Sequence, residues 1–147
     1  MAEMPLASRT LLVVDDDLQQ TELLRQLIAR HGYRVLAVRS AQEALDLIRC
    51  STESIDLVIT DITMPDMTGI ELARRLLVER PELPVILLSG IGIEGESTDF
   101  EGQDIGLATE AESLPPNVMD RLQKPYRSRQ LISRIERILE ERKHADD

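Results

Sequence analysis

Five short apolar runs, with helix-period segments between most of them, set the strongest limit on how this chain can fold. Leu11–Val14, Arg34–Val38, Ile55–Asp61, Val85–Ser89 and Met119–Gln123 read as strands. Between the first four stand stripes at three- and four-residue spacing: Leu23, Leu24, Leu27 and Ile28, then Ala44, Leu45, Leu47 and Ile48, then Ile70, Leu72, Ala73, Leu76 and Leu77. Another stripe, Leu131, Ile132, Ile135, Ile138 and Leu139, follows the fifth run. Runs that are apolar throughout belong to strands buried on both faces. Strands alternating with amphipathic helices build βαβ units, whose right-handed crossovers give a parallel sheet.

The element ends carry their own signals. His31-Gly32 stops the first helix, and Ser40 with Glu43 forms a capping box ahead of the second. The third runs from Thr68 to Arg80 and halts before Pro81. The last spans Ser128–Arg142. Five units of this kind predict a doubly wound α/β fold whose five-stranded parallel sheet has the flavodoxin-like order 2-1-3-4-5. The fourth crossover, residues 90–118, is the longest, with 29 residues. It carries Gly90, Gly92, Gly95, Gly102 and Gly106, with Pro115-Pro116 near its exit. Ile91–Val118 also holds seven Asp or Glu and no Lys or Arg, most of the chain's net charge of −10. Glycine at that density opposes a regular helix. An irregular acidic crossover is expected here, with at most a short helix near Leu107–Leu114.

A chain of 147 residues is long enough for one domain with a real core. The folded part is read as residues 10–142, with 1–9 a loose leader and 143–147 a tail. No apolar stretch has membrane-spanning length, and Met1–Arg9 lacks the pattern of a signal peptide, so a cytoplasmic domain without membrane contact is expected. The acidic balance argues against a nucleic-acid surface. The single cysteine, Cys50, allows no intramolecular disulfide and no thiolate metal site.

In such a fold the carboxyl ends of strands one, three, four and five open onto one edge, where open α/β sheets bind ligands. That edge receives Asp15 and Asp16, Asp61, Ser89, and Lys124. Carboxylates gathered together repel, and resist ionisation unless a cation compensates. Such an oxygen-rich cluster suits Mg²⁺. With a lysine and a hydroxyl beside it, the set suits a phosphoryl group on Asp61. Taken singly, each residue has a plainer use: Asp17 caps the first helix, Asp61 could cap a turn, and Ser89 and Lys124 could be ordinary strand-end and surface residues. Their arrival together at the ends of the appropriate strands favours the chemical reading.

Val13-Val14-Asp15-Asp16-Asp17, Asp61-Ile62-Thr63-Met64-Pro65-Asp66-Met67-Thr68-Gly69, Leu88-Ser89-Gly90 and Lys124-Pro125-Tyr126 resemble the receiver domain of two-component response regulators. The resemblance extends from about Thr10 to Arg142. It implies that Asp61 is the phosphoacceptor and that Asp15, Asp16, Asp61 and the Thr63 carbonyl bind Mg²⁺. It likewise implies that Ser89 is the switch hydroxyl, that Lys124 contacts the phosphoryl group, and that the Lys124–Pro125 peptide is cis. The implied donor is a phosphohistidine on a sensor histidine kinase or a histidine phosphotransfer domain. The implied activity is signalling, the chain catalysing only its own phosphorylation and dephosphorylation. Either a stand-alone regulator or the receiver of a hybrid kinase fits; 23 residues follow Lys124, too few for a helix-turn-helix unit. Two positions depart from the family: Arg121 stands where an aromatic residue is usual, and the long acidic crossover replaces a compact fourth helix.

Two other readings fit less well. An aspartate-nucleophile phosphatase of the haloacid dehalogenase type needs Thr or Val where Gln19 stands, and a further acid pair beyond the lysine. A pseudo-receiver that binds without being phosphorylated would lack one of the acids, the serine or the lysine, and all are present.

Overall fold

The computed structural model describes residues 9–50, 54–89 and 114–146, with side chains as far as residue 141. Strands β1 (Thr10–Val14), β2 (Arg34–Val38), β3 (Leu57–Asp61), β4 (Val85–Ser89) and β5 (Val118–Gln123) form one sheet in the order β2-β1-β3-β4-β5. Every pairing in it is parallel. This is the order expected from the sequence. Four described helices accompany it: α1 (Leu18–Arg30), α2 (Ala41–Cys50), α3 (Gly69–Glu79) and α4 (Ser128–Asp146).

Strand alternation divides the apolar residues between two cores, because successive side chains point to opposite faces. Leu12, Val14, Val58, Val85 and Leu87 pack with Ala44, Leu45, Ile48, Leu72 and Leu76 of α2 and α3. Leu11, Val13, Leu57, Ile59, Ile86 and Leu88 pack on the other face with Leu24, Ile28, Leu131, Ile135 and Leu139 of α1 and α4. Each fully buried Leu or Ile contributes about 1.5–3 kcal/mol by leaving water. That two-sided burial fixes the register, since a one-residue slip would exchange the two faces.

The helix ends follow their local chemistry. Asp17 accepts from the backbone NH groups of Gln19 and Gln20 and so caps α1. Gly32 follows α1 with φ 95°, a conformation open to glycine, and its NH bonds the Ala29 carbonyl at 2.9 Å. At α2, the Glu43 NH donates to Ser40 Oγ and Glu43 Oε1 accepts from the Arg39 NH. Cys50 is the exposed last residue of that helix. One correction concerns α4, which continues to Asp146, beyond the expected end at Arg142. Residues 140–145 (Glu-Glu-Arg-Lys-His-Ala) carry no apolar stripe, but most are good helix formers, and propensity favours prolonging the helix past the end of that stripe. The crossover expected to be irregular lies outside the described residues as far as residue 113, and the leader as far as residue 8. From Leu114 onward the chain is described, with Leu114 packed against the α2 and α3 core.

A further cap of α2 comes from outside the helix. Asp66, in the segment joining β3 to α3, accepts from the NH groups of Gln42 at 3.0 Å and Ala41 at 3.4 Å. Although burial opposes it, these backbone donors hold the Asp66 carboxyl below its ordinary range. Asp66→Ala is expected to destabilise the fold by about 1 kcal/mol, the usual worth of a helix cap. An unchanged urea midpoint would show that the bonds contribute nothing to stability.

Candidate functional site

Asp15 follows β1 and is held on several sides. Its NH bonds the Val38 carbonyl at 3.2 Å, its Oδ1 accepts from the Asp17 NH at 3.0 Å, and its carbonyl accepts from the Thr21 hydroxyl at 3.1 Å. Asp61 is the last residue of β3. Immediately beyond it the Ile62 NH bonds the Leu88 carbonyl of β4 at 3.0 Å, and the Gly69 NH bonds the Ile62 carbonyl at 2.8 Å. Beyond β5, the Lys124 NH bonds the Ser89 carbonyl at 2.9 Å, and the Lys124–Pro125 peptide is cis, as the resemblance implied. The backbone at each of these positions is therefore tied to a neighbouring strand.

These anchors bring Asp15, Asp16 and Asp61 together. One carboxylate oxygen from each lies within 4.8 Å of the other two. Thr63, Met64, Pro65 and Lys124 help line the same cavity, of about 470 Å³. Lys124 Nζ stands 4.0 Å from Asp15 Oδ2 and 3.9 Å from Asp61 Oδ2. At those distances it balances charge without forming a short hydrogen bond. Asp15 Oδ2 and Asp61 Oδ1 are both buried and have no hydrogen-bond partner among the described residues.

The electrostatics agree with that geometry. Burial pushes the Asp15 carboxyl above its ordinary range, with the Asp17 NH and Lys124 pulling it back and Asp16 and Asp17 pushing further up. Burial likewise raises Asp61, opposed by Lys124 and reinforced by Asp15. Tyr126 is pushed up to about 12, first by burial and then by Asp15 and Asp61, so its phenol stays protonated beside the acids. Buried carboxylate oxygens without donors are expensive to ionise in isolation. Hard oxygen donors arranged in this way fit a small divalent cation of the Mg²⁺ type.

Ser89 is placed differently. It lies at the carboxyl end of β4 and is only 3% exposed, but it does not line the acidic cavity. Its Oγ accepts from Arg121 Nε at 3.2 Å. Of the residues singled out from sequence, then, Asp15, Asp16, Asp61, Thr63 and Lys124 share one cavity, and the Ser89 hydroxyl faces β5. Two contributors were not singled out as site residues: Tyr126, which appeared only as part of a motif, and Gly69. A Cβ built on Gly69 would drive into the Asp61 carbonyl oxygen, with Ile62 Cα at 3.1 Å. Glycine at the first position of a helix, where its propensity is poor, was the available signal.

Residues 11–136 match the family model described as the response regulator receiver domain. The chain is 34% identical over 129 residues to the transcriptional regulatory protein CpxR of Escherichia coli, covering 88% of this chain and 48% of that protein. It is 33% identical over 137 residues to the C4-dicarboxylate transport transcriptional regulatory protein DctD of Pseudomonas aeruginosa, covering 93% and 26%. The chain thus spans half or less of the length of these curated relatives. Among solved structures, a response regulator receiver domain protein from Clostridium thermocellum superposes with a TM-score of 0.77 at 27% identity, covering 94% of this chain and 99% of that one.

Proposed function

Since this chain belongs to the response regulator receiver domains of two-component systems, we propose that Asp61 is its phosphoacceptor, taking a phosphoryl group from a phosphohistidine. The observation that carries this reading is the pair of buried, unpartnered oxygens on Asp15 and Asp61 opposite Lys124. A carboxylate oxygen of Asp61 forms the new bond to phosphorus. The phosphorus–nitrogen bond of the donor breaks, and its electron pair returns to the imidazole. Asp15, Asp16 and Asp61, with the Thr63 carbonyl, would hold Mg²⁺, which when bound offsets the charge of the phosphoryl oxygens during transfer. Lys124 supplies a point charge to the same oxygens. The Ser89 hydroxyl donates to the phosphoryl group once that group is in place.

No separate catalyst is needed for uptake or for later hydrolysis by water, because positioning and charge provide most of what phosphoryl transfer requires. The partners are then a sensor histidine kinase or a histidine phosphotransfer domain, in the cytoplasm. Neither nucleic acid nor membrane is contacted by this domain, and among the described residues no helix is long and apolar enough to cross a membrane.

The test is incubation with acetyl phosphate and Mg²⁺, followed by mass spectrometry. One hydroxylamine-labile phosphoryl group on Asp61 is expected, and chelation of Mg²⁺ with EDTA should abolish it. Label on a serine or threonine, or no label with Mg²⁺ present, would refute the assignment.

A further inference from the structure

We propose that Arg121 is a positioning residue that holds the Ser89 hydroxyl away from the acid cluster until a phosphoryl group draws it in. This rests on the reading of Asp61 as phosphoacceptor and Ser89 as its contact. Arg121 lies on β5 opposite Leu87, two residues short of Ser89 in register. Its Nε donates to Ser89 Oγ at 3.2 Å, and bonds from a charged donor are the stronger class of hydrogen bond. At the same time Asp61 Oδ1, buried on the neighbouring strand, accepts nothing among the described residues. The nearby hydroxyl on β4 is thus engaged by the cation on β5 and not by the orphaned acceptor.

Among the described residues, the surroundings of Arg121 fix its backbone and leave its side chain to Ser89. Its NH donates to Asp120 Oδ1 at 2.8 Å. The other oxygen of Asp120 is taken by Arg134 at 2.5 Å and Arg137 at 3.5 Å. Among the described residues Arg121 makes no ion pair, and there the bond to Ser89 orients its guanidinium. For Ser89 to reach a phosphoryl oxygen, its hydroxyl must turn from β5 toward Asp61 and give up this bond. Arg121 therefore sets a threshold that phosphoryl binding has to overcome.

The test measures affinity for beryllofluoride, a phosphoryl mimic on carboxylates, in the presence of Mg²⁺ by calorimetry. Four chains are compared: the unaltered protein, Arg121→Met, Ser89→Ala and the double variant. Methionine keeps much of the arginine stem's packing and removes every donor. Arg121→Met should bind beryllofluoride about tenfold more tightly, the release of one hydrogen bond to a charged group. Loss of a nearby positive charge would by itself weaken anion binding, so the direction is diagnostic. In the Ser89→Ala background the same substitution should produce no tightening, whereas a merely structural effect of Arg121 would persist there. Binding unchanged or weakened in Arg121→Met, or tightened equally without Ser89, overturns the latch. If removing Ser89 from the Arg121→Met chain fails to weaken binding, the Ser89 contact itself is overturned, a separable failure. Should Arg121→Met not fold, Arg121→Leu, which also lacks any donor, serves the same comparison.

Discussion

An Asp61→Asn chain is expected to take up no phosphoryl group from acetyl phosphate and, without Mg²⁺ at neutral pH, to be more stable than the unaltered protein by about 1–2 kcal/mol. Loss of uptake follows from the proposed role of Asp61 as phosphoacceptor. The stability gain follows from burial: the folded chain holds the Asp61 carboxyl above its ordinary range. A carboxyl whose folded value is raised favours folding while it is protonated, and that contribution is lost as pH rises from the ordinary value of 3.8 through the folded value. At neutral pH the ionised Asp61 therefore works against the fold. The substitution also removes the attraction to Lys124, but the two groups stand 3.9 Å apart without a short hydrogen bond, the amine still faces Asp15 at 4.0 Å, and burial outweighs Lys124 in setting the Asp61 carboxyl. Relief of the buried charge should win. The gain should shrink toward pH 4 and in saturating Mg²⁺, where the unaltered chain is relieved by other means. Urea unfolding in EDTA across pH 4–8 checks it. Equal or lower stability of Asp61→Asn at neutral pH would contradict the argument.

Gly69→Ala should destabilise the protein by about 1–3 kcal/mol and slow phosphorylation of Asp61 about tenfold or more. On propensity alone the substitution would help, since alanine exceeds glycine in a helix by about 1 kcal/mol. Contact decides otherwise. The new Cβ meets backbone, with the Asp61 carbonyl carbon and Ile62 Cα both at 3.1 Å and the Asp61 oxygen closer still. Backbone cannot rotate aside as a side-chain tip can, and α3 is already fixed by Thr68 capping the Glu71 NH and by the Gly69 bond to Ile62. Either α3 retreats or the end of β3 shifts, and Asp61 is that end. Urea midpoints and acetyl phosphate kinetics measure the two effects. A Gly69→Ala chain as stable and as fast as the unaltered protein would remove the packing argument.

Much of the fold was legible because its signals are local. Strand period, the Ser40–Glu43 box and the His31-Gly32 stop each lie within a few residues. The meeting of Asp15, Asp16, Asp61 and Lys124 was legible for a different reason: parallel topology alone sends the carboxyl ends of strands to one edge. What the sequence did not disclose depends on side-chain direction or on contacts between distant segments. Asp66 reads as a turn residue until α2 is seen in front of it, 24 residues away in the chain. Arg121 stood out as a departure from the family, but nothing in the sequence says that its Nε faces Ser89. Nor could sequence show which carboxylate oxygens lack donors, since that requires every neighbouring NH to be placed.

The backbone bonds at Asp15, Ile62 and Lys124 carry the interstrand ladder past the strand ends and into the site. Local opening of such bonds requires adjoining strands to separate, which in a sheet buried on both faces approaches global unfolding. The site therefore has almost no private route to disorder. Asp15, Asp61 and Lys124 keep the relative positions of their backbones as long as the sheet exists, and fluctuation at these three is left mainly to side-chain rotation. A signal written at this edge is read by turning side chains against a stationary frame.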